Sequence, residues 1–193
     1  MFPPYLASGA WYSRWLASIS ENPDTNLAVA TANIDENARD FSRCAIQCPG
    51  HGRMLLTIPI EGGGKTLRNT NKMGLAFLSN HGNWRKKHLA AIEAAYGKKP
   101  YFNHFFPLLK QVFDNTQIDS LKEFNLSIHA ICASFLLGSL PYGAIKIINS
   151  DNHLKERSKE IAIQIKTDVT IIDPLMNLGP EAILGIFALY RKD

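Results

Sequence analysis

The sequence predicts an α+β (or mixed α/β) fold, in which a strand-rich N-terminal half packs against a helix-rich C-terminal half. Two observations support this class. Short apolar runs of strand length concentrate before residue 80, and helical patterns with capping residues dominate after it. Strands that are segregated from helices in this way are typical of α+β proteins. The chain has 193 residues, 46% of them hydrophobic, so we expect one domain over residues 1–193.

The N-terminal half is predicted to contain a helix followed by short strands. Ser8 is placed to cap the helix, in which Trp11, Trp15 and Ile19 recur at a spacing of four. Apolar runs of strand length lie at 27–32, 43–47, 54–60 and 75–78. The turn sequence at 49–52 predicts a hairpin between the second and third of these runs.

The C-terminal half begins with two predicted helices. Asn83 is placed to cap a helix over 84–96, and Gly97 supplies its end. The aromatic-rich segment 100–112 is also predicted to be helical. Pro107 lies inside it and is expected to force a break or a fresh start.

Further along the chain, Ser120 and Glu123 form a capping box ahead of a long apolar helix that ends at Gly138. Residues 151–166 fit a helix by their charged first half and a strand by the alternating isoleucines of their second half. The remaining predicted elements are a strand at 144–148 and short helices near 171–178 and 180–189.

The charge pattern argues against a nucleic-acid partner. The chain carries 21 Lys and Arg residues and 17 Asp and Glu residues, which gives a net charge of +4. Nucleic-acid-binding proteins usually gather basic residues on one face, whereas these are scattered in short clusters at 85–87, 98–99 and 191–192. We interpret each cluster as a solvated surface, since Lys and Arg are mostly exposed. A small anionic ligand suits the modest surplus better.

No secretory signal, membrane span or disulfide framework is predicted. The N-terminus lacks a basic region that leads into an apolar one. The most apolar stretch, 126–140, contains His129 and is shorter than the ~20 residues that a membrane span requires, so it is predicted to be a core helix. Three cysteines are too few for a disulfide framework. We therefore expect a cytoplasmic protein.

Two motif-like clusters are interpreted as structural, and neither a cofactor nor a metal is predicted. Residues 61–66 contain Gly-Gly-Gly-Lys-Thr, but a P-loop requires glycine where this chain has Pro59. Cys44, Cys48 and His51 lie close together without the second pair of ligands that a tetrahedral zinc site requires.

The start of the helix predicted at 84–96 carries the most informative cluster. Trp84 and His88 lie four residues apart on one face, and Lys87 adjoins that face. The positive end of the helix dipole favours an anion and lowers the pKa of His88. An indole beside a base and a cation suits a sugar or nucleotide ligand. The alternative is a tryptophan packed on the core, with a solvated basic rim.

Two stretches of the chain together resemble the WbqC-like family. Residues 80–102 contain the pattern W-x-x-x-H-x-x-x-I-x-x-A-Y-x-x-x-P-x-F, and residues 171–181 are similar to the family's C-terminal block I-I-D-L-L-F-N-L-G-P-E. The family is associated with bacterial O-antigen and surface-polysaccharide gene clusters. The resemblance therefore implies a role in glycan building, in which an amino sugar or a nucleotide sugar is modified.

The resemblance also implies a set of candidate site residues. His88 and Asp173 are the candidate catalytic residues. The candidate ligand-binding residues that the resemblance implies are Tyr5, Arg43, Lys65, Trp84, Tyr96, Asn177 and Glu181. Lys87 joins this set because of its place beside Trp84 on the predicted helix.

Two functional hypotheses follow. In the first, the protein is an enzyme, a group transferase that acts on a sugar; His88 is a general base with a pKa near neutral, cationic side chains hold a phosphate or carboxylate, and an aromatic ring stacks on the sugar. In the second, it is a non-catalytic module that binds a ligand or a protein partner in a glycan pathway. Residues 37–44 lack most of the basic run of the family, which favours the second hypothesis.

Overall fold

The computed structural model describes residues 3–21, 39–63, 75–138 and 152–190. The helices and strands of this part of the chain are α1 (Gly9–Glu21), β1 (Arg43–Cys48), β2 (Gly52–Thr57), α2 (Trp84–Tyr96), α3 (Phe102–Asp114), α4 (Leu121–Leu137), α5 (Asn152–Gln164), α6 (Ile172–Leu178) and α7 (Ala182–Tyr190). Short 3-10 turns precede α2 (His81–Asn83) and α7 (Gly179–Glu181). The predicted α+β class, with its strands in the N-terminal half, is confirmed.

The predicted hairpin is confirmed, and its second strand is shorter than expected. β1 and β2 pair in an antiparallel register that joins Arg43 to Thr57. Beyond Thr57, Pro59 has no N–H to donate, and the chain makes only single bridges, from Ile60 to Leu78 and from Phe77 to Ser120. The strand predicted at 75–78 is therefore reduced to isolated bridges.

Most of the predicted helix ends are confirmed. The Trp11 N–H donates to the Ser8 hydroxyl at 3.2 Å, and the Glu123 N–H donates to the Ser120 hydroxyl at 3.1 Å. α2 has the predicted bounds, but Asn83 makes no side-chain cap; its φ is +54°. A 3-10 turn leads into α2 at that point, so the Asn83 backbone is left-handed where a capping residue is normally extended.

The break predicted at Pro107 is wrong. α3 continues through Pro107 from Phe102 to Asp114. Proline removes the hydrogen bond to the carbonyl four residues earlier, which belongs to Asn103. Both residues are exposed, so the lost bond lies on the outer side of the helix, and the buried apolar face is retained.

The helix α5 (Asn152–Gln164) occupies most of the ambiguous segment 151–166. Ile161 and Ile165 are buried, whereas Ile163 is 79% exposed. Ile161 lies in α5 and Ile165 directly follows the end of the helix, so their spacing of four still places both on the side that faces the core. Packing of that face against α7 decides between the two alternatives that the sequence left open.

Some predicted features lie outside the described residues. They are the apolar runs at 27–32 and 144–148, the segment 64–66 of the motif-like cluster, and the candidate ligand-binding residue Lys65.

The C-terminal helices pack against α1 in the core. The described residues contain one helical stretch that is long and apolar enough to cross a membrane, Ile172–Leu189, and 56% of it is buried inside the protein. The stretch is interrupted at Gly179, whose φ of +59° is not helical. A Cβ atom on Gly179 would lie 2.4 Å from the Tyr101 ring, so glycine is required there.

Arg85 corrects the interpretation of its basic cluster as a solvated surface. Its guanidinium lies 5.0 Å from the centres of the Trp84 and Phe124 rings. It donates hydrogen bonds to the carbonyls of Val112, Phe113, Asn115 and Ile118. Arg85 therefore satisfies carbonyls at and beyond the C-terminal end of α3, which have no further helical N–H to accept from.

We expect Arg85→Ala to lower the free energy of unfolding by about 2 kcal/mol, because hydrogen bonds from a charged group to several carbonyls are lost together. Lys86→Ala is the matched control, since Lys86 is the exposed neighbour on the same helix, and we expect less than about 0.5 kcal/mol there. Denaturant unfolding of both variants measures the difference. Equal effects would show that Arg85 is solvated after all.

Candidate functional site

A cavity of about 380 Å³ lies between the N-terminal segment 4–8, the hairpin, and the turn at 168–170. These segments are distant in sequence and are joined by backbone hydrogen bonds. The N–H groups of Tyr5, Thr170 and Ile171 donate to the carbonyls of Asp40, Ala45 and Ala7 at 3.2, 2.9 and 2.8 Å. The walls of the cavity are thus fixed by the main chain, and its character is set by the side chains that line it.

The charged side chains that line the cavity are three arginines and two aspartates: Arg39, Arg43, Arg53, Asp40 and Asp168. Arg53 and Asp168 form an ion pair at 2.7 Å, and Arg53 also donates to the Asp168 carbonyl at 3.0 Å. Within the described part of the chain, the side chains of Arg43 and Asp40 make neither an ion pair nor a hydrogen bond.

Tyr5 and His88 form a buried pair beside this cavity. The Tyr5 hydroxyl and His88 Nδ1 are hydrogen-bonded at 2.9 Å, and their ring centres are 5.8 Å apart. Tyr5 lines the cavity, whereas His88 does not. His88 is 6% exposed and therefore holds Tyr5 in place from the protein interior.

The pKa of His88 is lowered as predicted, but for a different main reason. Burial lowers the pKa of His88 to about 4, and a hydrogen bond with the Thr57 backbone opposes this only in part. The imidazole is therefore neutral at pH 7. A pKa of about 4 does not match the near-neutral value that the general-base hypothesis assumes, because the best general bases have a pKa close to the working pH.

Trp84 lies in the core rather than at the cavity. It is 5% exposed, and its indole N–H donates to the Ser79 carbonyl at 2.9 Å. The rings of Phe113 and Phe124 pack against it. This position matches the alternative of a tryptophan packed on the core. Lys87 is exposed and is not among the residues that line the cavity.

Tyr96 and Asp173 form a second pair, near the C-terminal end of β1. The Gln47 N–H donates to the Tyr96 hydroxyl at 3.0 Å, and the Tyr96 hydroxyl lies close enough to the Asp173 carboxyl to favour its charged form. Burial raises the pKa of Asp173, and the charges of Lys99 and Lys166 oppose this. Burial also raises the pKa of Tyr96. The resemblance thus named two residues that the structure brings together.

Asn177 and Glu181 make local and surface contacts. The Asn177 amide donates to the Asp173 carbonyl one helical turn earlier, at 2.7 Å. Glu181 is paired with Arg157 at 3.2 Å, and both side chains are about half exposed. Neither Asn177 nor Glu181 lines the cavity. The roles suggested for all of these residues stay predictions.

Sequence reasoning missed two residues that shape the cavity. The Asn125 amide, buried in α4, donates to the carbonyls of Pro3 and Phe41 at 3.1 and 2.8 Å, next to two of the cavity walls. A polar amide inside an apolar helix is the signal that would have identified it. Leu6, which lines the cavity, has a φ of +41°, an uncommon conformation for a branched side chain. No sequence signal indicates it.

In the described ranges, no group of three His, Cys, Asp or Glu residues is placed to hold a metal ion. Cys44 and Cys132 are buried and Cys48 is half-buried. Burial raises the pKa of Cys132 to about 12. Buried thiols of this kind behave as small apolar side chains.

Fold and cavity together define an α+β protein with an arginine-lined cavity beside a buried tyrosine–histidine pair. The model of the WbqC-like protein family matches residues 29–169, so the chain belongs to this family, as its motifs indicated. No curated protein and no solved structure matches the chain. The matched range includes Arg43 and His88, and it leaves Tyr5 and Asp173 outside.

Proposed function

We propose that the protein binds an anionic sugar, either a sugar phosphate or a nucleotide sugar, in the arginine-lined cavity. One observation carries the proposal: Arg43 lines this cavity and has no anionic partner within the described residues. Guanidinium groups present a planar fork of donors that matches phosphate and carboxylate oxygens. Arg39 adds positive charge to the same walls, whereas Asp168 balances the charge of Arg53.

The biological setting that we propose is bacterial surface-polysaccharide biosynthesis, of the O-antigen type, in the cytoplasm. Membership of the WbqC-like family supports the setting, because the family is associated with such gene clusters. The modest positive charge of the chain is consistent with an anionic sugar. We further propose that the protein is a group transferase that modifies this sugar.

In the enzyme hypothesis, the roles of His88 and Asp173 are constrained by their burial. His88 does not line the cavity and is hydrogen-bonded to Tyr5, which does, so we expect it to act by positioning the Tyr5 ring rather than by touching the ligand. Asp173 belongs to the second pair with Tyr96 and does not line the cavity.

A non-catalytic binding module is the second candidate function. The observation that favours it is the chemistry of the cavity lining, because arginine stays protonated and cannot transfer a proton at neutral pH. The candidate proton acceptors there are Asp40 and Asp168, and Asp168 is already paired with Arg53. Incubation with a sugar ligand and an acyl donor, followed by mass spectrometry of the sugar, separates binding from turnover.

Thermal unfolding against nucleotide sugars, sugar phosphates and inorganic phosphate tests ligand binding. A ligand at 100 times its Kd stabilises the folded state by about 2.7 kcal/mol. For a chain of this size, this is a rise in Tm of roughly 5–10 °C. We expect Arg43→Gln to lose the shift, and Lys122→Gln, which removes an exposed charge outside the cavity, to keep it.

The result that would overturn the proposal is the absence of a shift with every anionic sugar. A shift that is retained in Arg43→Gln would also overturn it, because binding would then occur elsewhere. The first result favours a module that recognises a protein, and the second favours a sugar site outside this cavity.

A further inference from the structure

Among the described residues, the cavity has one charged side chain of each sign that forms no ion pair, Arg43 and Asp40. We propose that it recognises a zwitterionic ligand, in which Asp40 holds a free ammonium group and Arg43 holds a phosphate or carboxylate. The inference rests on the proposed function and specifies the ligand further: the sugar has an unmodified amine. The chemistry that defines such a ligand is an ammonium group and an anionic group on one small molecule.

Asp40 and Arg43 differ in their pairing from Arg53 and Asp168, which line the same cavity. Arg53 and Asp168 neutralise each other across the cavity, from β2 to the turn at 168–170. The carboxylate of Asp40 and the guanidinium of Arg43 make no such pair within the described residues, although they are only three positions apart in sequence. A ligand that carries both signs therefore satisfies both groups at once.

The backbone that carries the two charges is held in place before any ligand binds. The Asp40 carbonyl accepts from the Tyr5 N–H at 3.2 Å, and the Phe41 carbonyl accepts from the buried Asn125 amide at 2.8 Å. The Ser42 N–H closes a turn onto the Arg39 carbonyl at 3.2 Å. Fixed main-chain positions reduce the entropy that binding costs.

The Asp40 carboxylate also disfavours ligands that carry an anion alone. Asp40 and Arg43 line the same cavity, so the Asp40 carboxylate repels a phosphate that is bound to Arg43. An ammonium group on the same ligand turns this repulsion into attraction. Acetylation of the amine removes the positive charge, so we expect an N-acetylated sugar phosphate to bind less well.

The volume of the cavity indicates the size of the ligand. Ligand cavities range from about 300 to 1,000 Å³, and this one is about 380 Å³. It accommodates a monosaccharide phosphate more readily than a complete nucleotide sugar. An α-amino acid has the same zwitterionic chemistry on a smaller frame, and the experiment has to distinguish it from an amino sugar.

Calorimetric titration at pH 7 with four probes tests the inference: glucosamine 6-phosphate, N-acetylglucosamine 6-phosphate, glucose 6-phosphate and serine. We expect glucosamine 6-phosphate to bind at least about tenfold more tightly than the other two sugar phosphates, which is the discrimination of one charge-assisted contact. We expect no measurable binding of serine.

Variants of Asp40 and Arg43 test which group of the ligand each side chain binds. Asp40→Asn keeps the side-chain shape and the backbone carbonyl that the fold uses, and we expect it to reduce the preference for the free amine to less than about twofold. Arg43→Gln is expected to weaken all three sugar phosphates. Asp119→Asn is the matched control, since Asp119 is exposed and lies outside the cavity lining, and it should keep the preference.

Failure of this inference and failure of the proposed function give different results. Equal affinity for the three sugar phosphates, lost in Arg43→Gln, overturns the zwitterion inference and leaves the proposed function intact. Binding of serine alone supports zwitterion recognition and overturns a sugar ligand. A preference for the free amine that survives Asp40→Asn overturns the role of Asp40, provided that the Tm of the unliganded variant shows it to be folded.

Discussion

Between pH 6.5 and pH 4, the free energy of unfolding is expected to fall by about 6 kcal/mol, because two buried histidines remain neutral in the folded protein. Burial lowers the pKa values of His88 and His129 from 6.5 to about 4. Each histidine therefore contributes about 3 kcal/mol that is lost over this range. A typical domain has only about 5–15 kcal/mol in total, so we expect acid unfolding near pH 4.

The direction of this change follows from proton counting. Above pH 6.5, both histidines are neutral in the folded and unfolded states, and their full contribution is present. Below pH 6.5, the unfolded chain takes up a proton at each histidine, and the folded chain does not until about pH 4. Asp173 acts in the opposite direction, because its raised pKa lets the folded state bind a proton earlier on acidification.

The surroundings of His129 explain why it resists protonation. It lies among the rings of Trp11, Trp15 and Tyr12, with its centre 4.8 Å from that of Trp15. Nδ1 is hydrogen-bonded to the Tyr12 hydroxyl at 3.0 Å, and Nε2 is buried with no hydrogen-bond partner among the described residues. An imidazolium there would leave a charged N–H without an acceptor.

Denaturant unfolding at a series of pH values between 4.5 and 7 measures the effect. Each histidine contributes up to about 1.4 kcal/mol per pH unit to the slope of the free energy of unfolding against pH. We expect His88→Asn and His129→Asn each to remove about half of it, whatever their stability at pH 7. His81→Asn is the control, since His81 is exposed. A slope that neither core substitution changes would contradict the prediction.

Substitution of Gly185 is expected to have the second large effect on the free energy of unfolding. Gly185 lies in α7 where that helix packs against α5. A Cβ atom there would lie 2.6 Å from Ile161 Cγ2 and 2.9 Å from the Ala162 backbone nitrogen. The main-chain nitrogen cannot rotate away, so the two helices must separate.

We expect Gly185→Ala to lower the free energy of unfolding by about 1–3 kcal/mol, although alanine is the better helix former by about 1 kcal/mol. Gly185→Leu is expected to cost more than about 4 kcal/mol or to prevent folding. Denaturant unfolding measures the alanine variant, and the soluble yield reports on the leucine variant.

Two comparisons separate the cost of the steric clash between the helices from the gain in helix propensity. In an Ile161→Ala background, Gly185→Ala is expected to cost less than in the native chain, because the Cγ2 atom nearest to the new methyl group is gone. Ala94→Leu adds bulk on the exposed side of α2 and is expected to change stability by less than about 0.5 kcal/mol. An increase in stability of Gly185→Ala would show that helix propensity decides this position.

Local interactions explain which elements could be predicted from sequence. Caps such as Ser8 and Ser120 act within three residues, and the hairpin turn acts within four, so the sequence around each contains its physical cause. The break predicted at Pro107 is wrong because the effect of a proline depends on whether the freed carbonyl faces water or the core. That choice is made by packing of the opposite helical face.

The sequence by itself determined the α+β class, most helix ends and the family, since these depend on short-range patterns and motifs. It also named Tyr5 and Arg43, without indicating that they share a cavity. Tertiary structure decided the rest. Tyr5 reaches His88 across 83 residues of chain, and Arg53 reaches Asp168 across 115. Such pairings depend on burial and on main-chain hydrogen bonds between distant segments, and no local spacing encodes them.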